Sequence, residues 1–179
     1  MNSLILHSVS ARSWLGGIFS LLLGAVPVAL VAQSDDFNDG NDVGWTHYSP
    51  LAPYGVPGVF GFPNGGYRIQ TTSPSPSPTQ LGNARAGSLR LDASYSNFYV
   101  SVDIVNWNDS LPQAVGLLAR IGNPGLGMTT GYAFTWSRGT TATSGDMDIS
   151  RITGEVPSGV SVTGNDKYHF VPGMKYRMV

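Results

Sequence analysis

The chain contains no cysteine, and only 12% of its 179 residues are charged. The first absence excludes disulfides, a thiol nucleophile and a thiolate metal site. Charge is also balanced, ten basic against eleven acidic side chains, so there is no electrostatic footprint for nucleic acid and no polybasic patch for a membrane surface. Histidine is nearly missing: His7, His47 and His169 are the only three. They make a poor zinc set, and no Gly-x-Ser-x-Gly elbow accompanies them to suggest a Ser-His-Asp triad. Glutamate occurs once, as Glu155. A carboxylate pair of the kind that hydrolyses glycosides therefore has to draw on aspartate. Beyond residue 32 there is also no run long and apolar enough to span a bilayer.

Glycine and proline are abundant instead, at 23 and 12 residues, and 41% of the chain is hydrophobic. That composition is globular rather than disordered and suits many short strands joined by turns, so an all-β fold is expected. The N-terminus departs from the rest. Arg12 is its only fixed charge before Asp35, and Trp14 to Ala32 is almost unbroken apolar sequence. A basic residue, an apolar core and small Ala32 before Gln33-Ser34 match a secretory signal peptide over residues 1–32. The alternative is an uncleaved anchor, which Gly16, Gly17, Gly24 and Pro27 weaken as a helix. Removal of residues 1–32 leaves 33–179 as one domain, secreted or at the cell surface, with no membrane contact afterwards and enough length to fold without disulfides.

Three apolar runs dominate that domain. Between Asn97 and Trp107, Phe98, Val100, Val102 and Ile104 share one strand face, with Tyr99, Ser101, Asp103 and Trp107 on the other. Ala114 to Ile121 alternates two largely apolar faces, as in a central strand. Tyr132, Phe134 and Trp136 share a side of the third run. Together they predict a three-strand antiparallel meander. Further strands are expected at Val59–Phe62 on a sheet edge, at Tyr67–Thr71, at 87–93 with Leu89, Leu91 and Ala93 on one face, at 146–154 and at 174–179. Ser73 to Pro78 reads as an extended, solvated loop. The C-terminal strand has Met174, Tyr176 and Met178 alternating and then stops, which suggests that further strands belong beyond it.

Asp35 to Trp45 carries four aspartates and two asparagines. Such dense oxygen donors suit a structural calcium ion, with Asp36, Asp39 and Asp42 as ligands, although the spacing fails the EF-hand loop. Asx-rich turns explain the same composition.

Asp36-Phe-Asn-Asp-Gly40 to Trp45, Val115-Gly-Leu-Leu-Ala-Arg120, Gly131-Tyr-Ala-Phe134 and Pro172-Gly-Met-Lys-Tyr-Arg177 occur in the order of strands in concanavalin A-like lectin/glucanase domains, including the LamG-like type, which the chain resembles over about residues 35–179. The resemblance implies an antiparallel jelly-roll β-sandwich in an exported protein, and members of this family usually continue past the Tyr-Arg strand. It also implies carbohydrate as the first ligand class to consider, and polysaccharide hydrolysis as the reaction of its catalytic members. Glucanases of family 16 place acids as Glu-x-Asp-x-Glu, which this chain lacks. Asp146 and Asp148 are its only acids at two-residue spacing, and Glu155 follows Thr153-Gly154, where a turn is expected. A non-catalytic, carbohydrate-binding domain is therefore preferred to a hydrolase, with a structural or adhesive domain as the other reading. Sugars stack on exposed aromatic faces, which nominates Trp107 at a loop mouth and Tyr99 beside Asp103. Arg120 either grips the ligand or pairs with Asp103, the latter being the commoner fate of a charge on a covered sheet. Trp45 and Trp136 are assigned to packing.

Overall fold

A computed structural model describes residues 2–11, 34–71, 82–92, 94–138, 144–163 and 168–179, with backbone alone for 2–11 and 161–163. The described residues form an all-β sandwich of antiparallel sheets. The strands are β1 (Asn2–Ala11), β2 (Ser34–Asp35), β3 (Thr46–Tyr48), β4 (Gly58–Gly61), β5 (Tyr67–Thr71), β6 (Gly87–Leu89), β7 (Val100–Trp107), β8 (Ala114–Gly122), β9 (Thr130–Arg138), β10 (Gly145–Thr153), β11 (Val156–Thr163) and β12 (Tyr176–Met178). One sheet runs β12-β7-β1-β5-β4 with β2 beside β1, a second runs β11-β10-β9-β8, and β3 pairs with β6. Ser73–Pro78, Ala93 and the whole apolar run from Trp14 to Ala32 lie outside the described residues.

The predicted meander is only partly realised. β8 and β9 pair as expected, but β10 and β11 continue their sheet and β7 belongs to the other one. Residues 108–113 cross between sheets because they are built as a local knot: Asn108 accepts from the Ser110 backbone N–H and hydroxyl, at 3.0 and 2.6 Å. Crossing places β7 opposite β9, so Trp107 and Trp136 meet edge to face, their ring centroids 5.5 Å apart. Val102, Ile104 and Met178 from the first sheet complete this core with Val115 and Trp136 from the second. Burial of each such side chain contributes about 1.5–3 kcal/mol. Phe170 stacks on both Trp136 and Tyr176, and the Trp136 indole N–H donates to the Tyr168 carbonyl at 2.9 Å.

β8 is consequently an edge strand, not a central one. Its apolar second face is explained differently: Leu118 approaches Gly87 of β6, and the strand borders a cavity. A second apolar cluster gathers where Phe37 stacks on Tyr67 at 4.6 Å and Phe62 lies within ring contact of both. Phe37 reaches this place from a turn. Its φ is +56°, and its N–H donates to Asp35 Oδ1 at 2.9 Å. β4 pairs with β5 at the sheet edge and Tyr67 and Thr71 are buried on one face, as the sequence predicts. The strand expected over 87–93 shortens to β6, and Leu91 is exposed.

Candidate functional site

Between the two apolar clusters the sheets do not close. The gap is a cavity of about 1380 Å³, walled by β5, β6, the start of β7 and β8, with loop residues at its mouth. Val102, Val115, Leu117 and Ile69 give it apolar walls, while Trp45, Tyr95 and Phe98 bring aromatic rings and Ser88, Ser94 and Gln113 bring hydroxyl and amide groups. Arg85, Arg90 and Arg120 also border it.

The three arginines differ in what holds them. Arg90 is forked onto Asp92 at 3.0 and 2.6 Å and lies over the Trp45 ring, 5.5 Å from its centroid. Arg85 is forked onto Glu155, Nε to Oε1 at 3.0 Å and Nη2 to Oε2 at 2.5 Å. Arg120 makes no hydrogen bond or ion pair with the described residues. It sits at a register irregularity between Ala119 and Gly122, with φ +53°. That left-handed conformation is uncommon for a bulky side chain; the bulge interrupts the strand's pairing, and the side chain is solvent-exposed at the cavity's border.

Glu155 occupies the second place of the two-residue β10–β11 turn after Gly154, with φ values of +58° and +65°. This confirms the expected turn and reveals what the sequence concealed. Besides Arg85, the carboxylate accepts from the Tyr48 hydroxyl and from the Gly127 N–H at 2.8 Å. Tyr48 is also bonded to Thr129 Oγ1 at 2.8 Å. Burial pushes the Glu155 carboxyl up, but the bonds from Arg85, Tyr48 and Gly127 outweigh it and hold the pKa below the usual range. An ionised, four-fold bonded carboxylate is a clamp between β3, two loops and the β10–β11 turn. It is not a poised general acid, whose pKa must be raised.

The residues nominated from the sequence separate. Tyr99 and Asp103 remain together on the face of β7 away from the core, and Tyr99 is exposed. Asp103 does not pair with Arg120. Its register partner across the strands is Arg177, which forks onto it at 2.6 and 2.7 Å, and Lys175 Nζ adds a contact at 2.7 Å. The Arg177 fork, with Lys175 beside it, lowers the Asp103 pKa to about 2. Trp107 is not at an open loop mouth. It is 5% exposed and packed among Trp136, Phe170 and Tyr176, so its faces are not offered to a sugar. Trp136 packs as assigned, fully buried.

Asp36, Asp39 and Asp42 each turn to a different partner. Asp36 accepts from the Asn38 backbone and side-chain N–H groups, and Asp39 from the Asn41 N–H. Asp42 takes His47 Nε2 at 2.5 Å and the Tyr67 hydroxyl at 2.7 Å. Among the described residues no three acidic, histidine or cysteine side chains converge as a metal ion requires. Asp36 and Asp39 thus make Asx turns, whereas Asp42 ties His47 to Tyr67. Asp146 and Asp148, the spaced aspartates, flank Met147 on β10, where Asp148 accepts from Ser150 Oγ at 2.8 Å. Protein-family models, curated proteins and solved structures give no match to the chain.

Proposed function

We propose that this chain is an exported, non-catalytic recognition domain of the concanavalin A-like type, and that the cavity between its sheets takes a carbohydrate. Export uses residues 1–32 as the leader, leaving 33–179 as the working domain. The observation that carries the reading is Arg120, a charged side chain held in a strained backbone conformation at the cavity with no partner among the described residues. Strain of this kind persists where the surrounding structure imposes it, and it concentrates at ligand clamps. A free guanidinium supplies five donors to hydroxyl or carboxylate oxygens, and the rings of Trp45 and Tyr95 supply faces for sugar C–H surfaces. The volume exceeds the range of about 300–1000 Å³ usual for a single small ligand, which suits a chain of sugars better than one. Hydrolysis is not proposed, because Glu155 is consumed by its clamp.

The test is a glycan-array screen with the full chain and with Arg120→Asn, asparagine being tolerant of the left-handed region. Saturable binding that weakens roughly 10- to 100-fold in the variant is expected, since a hydrogen bond to a charged group contributes about 1.5–3 kcal/mol. A silent array with folded protein, or equal binding by both forms, would contradict the proposal and leave the structural or adhesive reading.

A further inference from the structure

The ten residues of β1 are seated in the middle of the six-stranded sheet, antiparallel to β5 and β7, with the short β2 beside Val9 and Ser10. Asn2 to Leu6 pair with Thr71 back to Tyr67 on one side; Leu4 to Ala11 pair with Trp107 back to Val100 on the other. Leu4 stands opposite Ile69 and Trp107, Leu6 opposite Tyr67 and Ile104, and Val9 opposite Val102. Those neighbours include the most deeply buried side chains of the core. Among the described residues β1 is also the sole link between β5 and β7 in the sheet order. Removing it splits the sheet and uncovers two rows of backbone donors and acceptors on facing edges. Yet these same residues fall within the segment that export takes away.

We infer that the gap between β5 and β7 is a strand-acceptor slot, which residues 2–11 fill in the unprocessed chain and which the processed domain offers to an extended peptide of another chain. The occupant's chemistry is set by the slot. It must be uncharged, about ten residues long and antiparallel to both edges, with apolar residues at the positions of Leu4, Leu6 and Val9. Main-chain bonds to both edges supply affinity, and buried Tyr67, Ile104 and Val102 with half-buried Ile69 supply specificity for alternate apolar side chains. The residues that fill it, Asn-Ser-Leu-Ile-Leu-His-Ser-Val-Ser-Ala, are the built-in example. The inference rests on the export reading only for when the slot empties.

The experiment uses the full chain with a specific protease site placed within residues 12–33, nicked after folding, and a fluorescent peptide of residues 2–11 as the probe. The nicked protein should take up one peptide per chain and the intact protein none, and a peptide with Leu4→Asp and Leu6→Asp should not compete. Peptide at about 100 times its Kd should slow amide exchange of β5 and β7 about 100-fold relative to the emptied slot. If loss of the native segment unfolds the nicked chain, the peptide must refold it. Absence of uptake or rescue overturns the inference. So does undiminished protection of β5 and β7 after the segment has left, or dimerisation in place of uptake, which would assign the slot to a second copy. Sequencing the N-terminus of exported protein reads the processing step separately, so an intact leader would fail the export reading without altering the nicking result.

Discussion

Arg120 and Glu155 are both non-glycine residues held at positive φ beside the cavity, and their side chains have opposite fates. Glu155 is 7% exposed at its side chain and paired, so its conformation serves a structural clamp. Replacing it with glutamine should cost roughly 2–4 kcal/mol at neutral pH, because Arg85 is left facing a neutral amide in a half-buried site. Its pKa is lowered from 4.5 and that of Asp103 from 3.8 to about 2. The stability these groups contribute is present above their unfolded pKa values and lost as pH falls through the folded ones. Urea unfolding of the wild type should therefore weaken between about pH 4.5 and 2, with the Glu155→Gln deficit shrinking over the same window. A deficit independent of pH would show that the clamp's charge contributes nothing. Arg120→Asn should leave unfolding free energy unchanged or raise it by roughly 0.5–1 kcal/mol, since strain at a functional position is commonly relieved at function's expense. The sequence offered Arg120 two fates and preferred pairing with Asp103, which the Arg177 fork on that carboxylate overturns. It could not show the Arg177 fork on Asp103, because that pairing depends on strands 74 residues apart.

At the scale of elements, periodicity located most strands and misassigned their neighbours. β5, β7, β8, β9 and β10 were legible from alternating apolar residues, and β4 from its place between prolines and a turn. Which sheet β7 enters was not, since a loop of 108–113 serves a hairpin or a crossover equally until Trp107 has a partner. β11 has Val156, Val160 and Val162 at alternate positions, but Pro157 and Gly159 interrupt the run, and it forms because the Gly154-Glu155 turn folds it back on β10. The glycine in Val115-Gly116-Leu117 has a reason that only pairing discloses. A Cβ there would collide with the Phe134 carbonyl oxygen and press on the Thr135 backbone. Neither atom belongs to a flexible side chain that can yield. Gly116→Ala should accordingly disrupt β8–β9 pairing and cost upwards of about 3 kcal/mol, read as a lowered urea midpoint. A wild-type midpoint would mean that β8 stands further from β9 than described.

The molecule as a whole is a sandwich joined along one side by a Trp107–Trp136 core and opened on the other by a cavity of about 1380 Å³. Composition announced an all-β chain and the resemblance carried by its short motifs implied a sandwich, but a gap between sheets leaves no periodic mark, because its lining residues alternate like any core. The same global view explains why the sequence favoured Trp107 as a ligand platform. An aromatic next to a polar loop looks exposed until the opposite sheet covers it. The central claim is that the cavity, not the outer face of β7 and β12 with Tyr99, Lys175 and Arg177, meets the glycan. Amide chemical-shift mapping of the full chain, titrated with an oligosaccharide selected on the array, tests it most directly. Saturating shifts confined to Gly87–Leu89, Ala114–Leu118 and the Arg120 bulge are predicted. Shifts centred on Tyr99 and Arg177, or none at saturating sugar, would contradict it.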